Sequence, residues 1–275
     1  MSDRDPLKVF AAQLLAGRTA LVTGGATGIG FGIAKSIGRL GAKVAIMSRK
    51  EENLIQAVAA LKELGIDANY EVCDVRESDK VEAAVASIVE RHGSLDILVN
   101  NAAGLFHCPA EELSPNAWRV LVDIDLNGTF FCCHTAFKYL KDSNFGGRIV
   151  NIVSPFAWTS WPGAANATAA KAGIISLAHT LAIEWARFGI RINNVAPGPI
   201  AGTGGIERMS EDPERRKREL EHVALGEFGE INDIANAVVY LASPAGTYMT
   251  GADLLVDGGR QFNFVPAKLA HLRKI

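Results

Sequence analysis

Seven short runs of β-branched and apolar residues recur along the chain, and stretches with helical periodicity separate them. The runs are TALVTG from Thr19, KVAIMS from Lys43, NYEVCD from Asn69, LDILVNN from Leu95, RIVNIVS from Arg148, RINNVAPG from Arg191 and DLLVDGG from Asp253. Helical patterns over 28–40, 51–64 and 78–92 follow the first three. Strands alternating with helices predict right-handed βαβ units and a parallel sheet covered on both faces. The runs lack a clean period of two, as expected when both faces of a strand are buried. The pattern therefore predicts one α/β domain over 1–275, a doubly wound parallel sheet of about seven strands with its ligand crevice at the strands' carboxyl ends. The polar stretch 201–221 is expected to be a surface helix or substrate lid, and 260–275 a C-terminal tail.

Composition narrows the partner. At 275 residues, 48% hydrophobic and with a net charge of -2, the chain can bury a full core and carries no large field of one sign. That disfavours nucleic acid and membrane surfaces and favours a small molecule. Cys73, Cys108, Cys132 and Cys133 fit no metal spacing, so no metal site is expected and a reducing compartment is favoured. The opening MSDRDPLKVFAAQLLAG is too acidic and too briefly apolar for a signal peptide, and no window approaches ~18 apolar residues. A cytoplasmic protein is expected. Arg273-Lys274-Ile275 is only loosely similar to a Ser-Lys-Leu tail, and a peroxisome-like organelle is the alternative.

Thr23 to Gly30, TGGATGIG, follows the first strand and opens the first helix. Glycines suit a place where backbone must turn tightly and approach a pyrophosphate held by free helix N–H groups. Gly24, Thr27, Gly28, Ile29 and Gly30 are thus candidate cofactor contacts. The second strand ends in Met47-Ser48-Arg49-Lys50, where an acidic residue would bind a ribose 2'-hydroxyl. A guanidinium there suits a 2'-phosphate, so Ser48 and Arg49 point to NADP(H), the other reading being a solvated basic start to the next helix.

The glycine spacing is typical of the short-chain dehydrogenase/reductase family, which the chain resembles over nearly its whole length. The resemblance implies a single Rossmann-type domain. It also implies an adenine contact at Asp74 and Val75, a cofactor-side turn at Asn101 and Ala102, and a nicotinamide cradle at Pro197, Gly198, Ile200 and Thr203. Lys171 aligns with the lysine that binds the nicotinamide ribose, and Ser154 with the serine that steadies the substrate oxygen. Two positions depart from the family's Asn, Ser, Tyr, Lys set: Ala167 replaces the tyrosine and Asp125 the asparagine. Asn127 lies too far along its motif to be that asparagine.

Those departures resemble the 2,4-dienoyl-CoA reductases, above all their peroxisomal type. ATAAK over 167–171, AAGLF over 102–106, PGPI over 197–200 and the Asp123-Ile124-Asp125 segment carry the likeness. The mitochondrial type has a tyrosine where Phe156 stands here, and Ser154 itself departs from the peroxisomal type. The resemblance implies NADPH-dependent reduction of an acyl-CoA and a homotetramer built through the helices carrying Asp125 and Lys171. The substrate side is assigned to Phe106, Ser114 and Asn116.

Chemistry explains how a tyrosine could be dispensable. Hydride addition to a conjugated thioester moves charge onto the thioester oxygen, which needs hydrogen-bond donors but never becomes an alcohol. The proton goes to carbon, and Asp125 could supply it through a water beside Lys171. Asp125 could instead simply pair with Lys171, and Ser154 could merely satisfy backbone. Trp158 and Trp161 could pack or serve a substrate loop. Tyr70, Tyr139, Tyr240 and Tyr248 all lie far from Lys171 in sequence.

Overall fold

The computed structural model describes residues 3–204, 206, 207 and 212–262. Seven strands form one parallel sheet in the order β3-β2-β1-β4-β5-β6-β7. They are β1 (Thr19–Thr23), β2 (Lys43–Ser48), β3 (Ala68–Val72), β4 (Ile97–Asn100), β5 (Arg148–Ile152), β6 (Arg191–Pro197) and β7 (Asp253–Val256). Every one falls within an apolar run or one residue of it. The longer helices are α1 (Gly28–Arg39), α2 (Glu51–Glu63), α3 (Ser78–His92), α4 (Pro115–Val122), α5 (Gly128–Leu140), α6 (Ala165–Trp185), α7 (Pro213–Glu221) and α8 (Ile231–Ala242).

Burial on both faces explains the missing alternation. All five residues of β1 and of β5 are buried. Ala20 and Val22 pack with Ile33, Ile37, Leu54 and Val238 on the side of α1, α2 and α8. Leu21 joins Val81, Val85, Cys133 and Leu181 on the side of α3, α5 and α6. Both layers are needed, because each strand must cover two apolar faces.

Side-chain amides tie the central strands just below the crevice. Asn100 Nδ2 donates to Asn151 Oδ1 at 2.9 Å, Asn151 Nδ2 to Asn194 Oδ1 at 2.9 Å, and Asn194 Nδ2 to Asp253 Oδ1 at 2.7 Å. These residues are cross-strand partners in the register of β4 to β7. The ladder fixes the register of β4 to β7, close to the carboxyl ends of β4 and β5. Strand order reverses between β1 and β4, which places the topological switch at Thr23 and Asn101.

Of the expected lid over 201–221, residues 201–204, 206, 207 and 212–221 are described, and α7, capped by Asp212, is mostly exposed with Glu219 and Leu220 half-buried. The terminal Arg273-Lys274-Ile275 lies outside the described residues. Among those described, no helix is long and apolar enough to cross a membrane. The outer faces of α5 and α6 expose Phe130 and Ile183.

Candidate active site

The glycine turn is held from β4. Asn101 Nδ2 donates to the carbonyls of Thr23 at 3.0 Å and Gly24 at 3.2 Å, while the amides of Asn101 and Ala102 both donate to Thr23 Oγ1 at 3.0 Å. At Gly30 an added Cβ would collide with the Gly24 carbonyl and the Asn101 amide, so only glycine lets helix and turn pack this closely. Gly28 adopts φ +54° and faces open space. Its neighbour Thr27, the N-cap of α1, makes no side-chain cap bond. An open backbone cradle at a helix amino end, with a free hydroxyl beside it, fits the pyrophosphate of a dinucleotide.

Around it stand the other sequence-assigned cofactor residues. Ser48 is half-buried and Arg49 exposed just past β2. Asp74 accepts from Arg76 at 3.0 and 2.6 Å, and this pairing holds its carboxyl below the usual carboxylate range, with a smaller contribution from Arg49. Val75 is buried beside it. Ile29, Pro197, Gly198, Ile200 and Thr203 all line one cavity.

Between α4 and α5 the chain widens into a π-helical turn, Asp123–Asn127. Such turns place a side chain that a regular helix would direct elsewhere. Here it tucks Asp125 inward to 0% exposure. Asp125 Oδ1 accepts from the Gly104 amide at 2.8 Å. Its Oδ2 lies 3.4 Å from Lys171 Nζ, an ion-pair distance without a hydrogen bond, and has no other partner. Lys171 Nζ donates to the Ile152 carbonyl at 3.0 Å. Asn127 instead donates to Asp123 at 2.7 Å, so Asp125 is the residue of this segment that faces the lysine.

Lys171 reaches the wall of a cavity of about 450 Å³, whereas Asp125 sits behind it. Ala167, one turn earlier on α6, contributes only a methyl to that wall. Three hydroxyls line the cavity. Thr168 donates back to the Ala164 and Ala165 carbonyls and Thr203 to Ile200, but Ser154 Oγ accepts from the Phe156 amide and keeps its own proton uncommitted. None of the four tyrosines lines it.

The substrate residues expected from sequence are not gathered here. Leu105 and His107 face the cavity, while Phe106 between them is 51% exposed and does not line it. Ser114 caps α4 by accepting from the Ala117 amide at 3.1 Å, and Asn116 is exposed on its first turn. Trp158 points outward, but Trp161 packs on Phe156 with ring centroids 4.1 Å apart and meets His107 edge-on at 5.2 Å. Arg215, Glu219 and Arg260 complete the wall. No local sequence signal marked these three, because two sit in a balanced charge run and one in a terminal loop. Among the described residues no cluster could hold a metal, and all four cysteines are free. Burial pushes Cys73 up to about 11 and Cys133 up to about 12, which makes both poor nucleophiles.

Residues 24–261 match a family model described as Enoyl-(Acyl carrier protein) reductase. The chain is 42% identical over 259 residues to a peroxisomal 2,4-dienoyl-CoA reductase of Arabidopsis thaliana, covering 91% of this chain and 86% of that one. It is 37% identical over 250 residues to a probable 2,4-dienoyl-CoA reductase of Bacillus subtilis, covering 90% and 98%. A gluconate 5-dehydrogenase of Gluconobacter oxydans is 36% identical, covering 89% and 95%. A solved short chain dehydrogenase from Bacillus anthracis superposes with a TM-score of 0.82 at 39% identity, covering 90% and 97%.

Proposed function

The chain belongs to the short-chain dehydrogenase/reductase family of oxidoreductases, and from that premise we propose that it reduces a conjugated acyl-CoA thioester, a 2,4-dienoyl-CoA, with NADPH. The observation that carries this reading is the cavity wall at Ala167, a methyl one turn before Lys171 where a proton-donating tyrosine would stand. Reduction of a ketone, or oxidation of an alcohol such as gluconate, needs a group that exchanges a proton with oxygen there. Reduction at carbon does not.

When bound, the cofactor supplies hydride. Charge then develops on the thioester oxygen, and the Ser154 hydroxyl is the uncommitted donor that meets it. Lys171 presents a cation at the cavity surface and holds the ribose side of the site. The proton for carbon comes from behind it: the protonated carboxyl of Asp125 gives its Oδ2 proton to a bridging water or through the ammonium, and is left as a carboxylate paired with Lys171. Arg49 selects the 2'-phosphate of NADPH. Assembly as a homotetramer covers Phe130 and Ile183 on α5 and α6, and a solution mass four times the 29.3 kDa chain is its check.

The test is NADPH oxidation with a 2,4-dienoyl-CoA, a 2-enoyl-CoA and a 3-ketoacyl-CoA in parallel. Turnover confined to the conjugated diene is expected. Tight NADPH binding without turnover of any thioester would make the protein a cofactor-binding sensor instead.

A further inference from the structure

One wall of the cavity carries a charged pair that the proposed chemistry does not use. Arg260, just past β7, donates from Nε to Glu219 Oε1 at 2.6 Å and from Nη2 to Oε2 at 3.4 Å. Their side chains are only 14% and 16% exposed, and both line the cavity. The arginine is held from two sides. Asp257 accepts from the amides of Gly259 at 2.9 Å and Gln261 at 2.7 Å, which fixes the turn that carries it. Its guanidinium carbon lies 5.7 Å from the ring centre of Phe156, whose other neighbour is Trp161.

The pair and the lysine reach the cavity from different strand ends. Lys171 bonds the last residue of β5, whereas Arg260 follows β7, two strands further along the sheet. Neighbouring strands are spaced ~4.8 Å apart, so the two strand ends beside these groups are roughly 10 Å apart. Phe156 and Trp161 line the same cavity, with Phe156 beside the Arg260 guanidinium. An apolar chain that starts beside Lys171 and follows those rings ends against a carboxylate and a guanidinium in mutual contact. Prising them apart for further methylenes would strand two charges in a poorly solvated wall, a loss larger than burying a methylene returns.

We propose that Glu219 and Arg260 form an end stop that sets the longest acyl chain the site accepts. The proposal rests on the acyl-thioester reading and extends it to specificity. The pair touches neither the reacting atoms nor the glycine turn, so its effect falls on chain-length discrimination rather than on NADPH affinity.

The experiment compares kcat/KM for twelve-carbon and six-carbon 2,4-dienoyl-CoA, alongside NADPH affinity, in four proteins. These are the wild type, Arg260→Ala, Glu219→Gln and the charge-reversed Glu219→Arg/Arg260→Glu. The wild type should favour the shorter thioester, and Arg260→Ala should raise the long-to-short ratio by about tenfold or more. Charge reversal should bring the ratio back down. Should Arg260→Ala not fold, Glu219→Gln keeps the side-chain volume and should raise the ratio by a smaller factor. An unmoved ratio in a folded variant, or a ratio left high by charge reversal, overturns the end stop while leaving the acyl-thioester reading intact. Wild-type failure on both thioesters removes that reading and the end stop with it.

Discussion

The two halves of the crevice are built by different means. The cofactor half, over the ends of β1, β2 and β4, is made largely of backbone: a glycine turn, a helix amino end and amides tied by Thr23 and Asn101. The half over β5 to β7, where we place the substrate, is made mainly of side chains from 104–107, 154–171, Ile206, α7 and the loop after β7, and it borders the cofactor-side segment 197–203. Backbone recognition depends on a short contiguous motif, because glycine geometry and a free helix end are local properties. Side-chain recognition depends on where distant loops meet. The first kind tolerates little substitution, and the second can be retuned one residue at a time.

Breaking the substrate half alone is the strongest test of that division. Ser154→Ala removes the uncommitted donor and should lower kcat with a dienoyl-CoA by about a hundredfold, while NADPH affinity measured by fluorescence stays unchanged. The converse variant, Arg49→Ala, should weaken NADPH by about tenfold or more, the scale of one charge-assisted phosphate contact. NADH affinity should hardly move, and equal weakening of both cofactors would count against 2'-phosphate binding.

Smaller effects sharpen the border between the halves. Ser114→Ala should cost about 1 kcal/mol of stability through loss of the α4 cap, read by denaturant unfolding. If it raises KM for the thioester instead, Ser114 belongs to the substrate half. The least effect concerns Asp74, whose pairing with Arg76 holds its carboxyl below the usual range. Its stabilisation is complete above the unfolded-state value near pH 4 and is lost as pH falls through the lower folded value. Asp74→Asn should flatten that acid limb of the unfolding profile.

What could be read in the sequence follows the same division. The strands, the three early helices, the glycine turn and the Asp125–Lys171 pairing were legible because each rests on a run, a fixed spacing or a motif. Strand ends moved by a residue or two where a terminal residue had other work: Asn101 leaves β4 to hold the glycine turn. Arg215 and Glu219 on α7, Arg260 past β7 and His107 were not legible, since nothing local marks a residue that meets a cavity formed by distant segments. Phe106 shows the same limit from the other side. Its motif is present, yet Leu105 and His107 on either side take the cavity while Phe106 is exposed.

The central claim is that a buried aspartate behind Lys171 does the work of the missing tyrosine. Single-turnover oxidation of bound NADPH by a dienoyl-CoA, compared between the wild type and Asp125→Ala, tests it most directly. The account predicts a rate lower by about a hundredfold or more with NADPH affinity retained. A variant that oxidises NADPH at nearly the wild-type rate would contradict it.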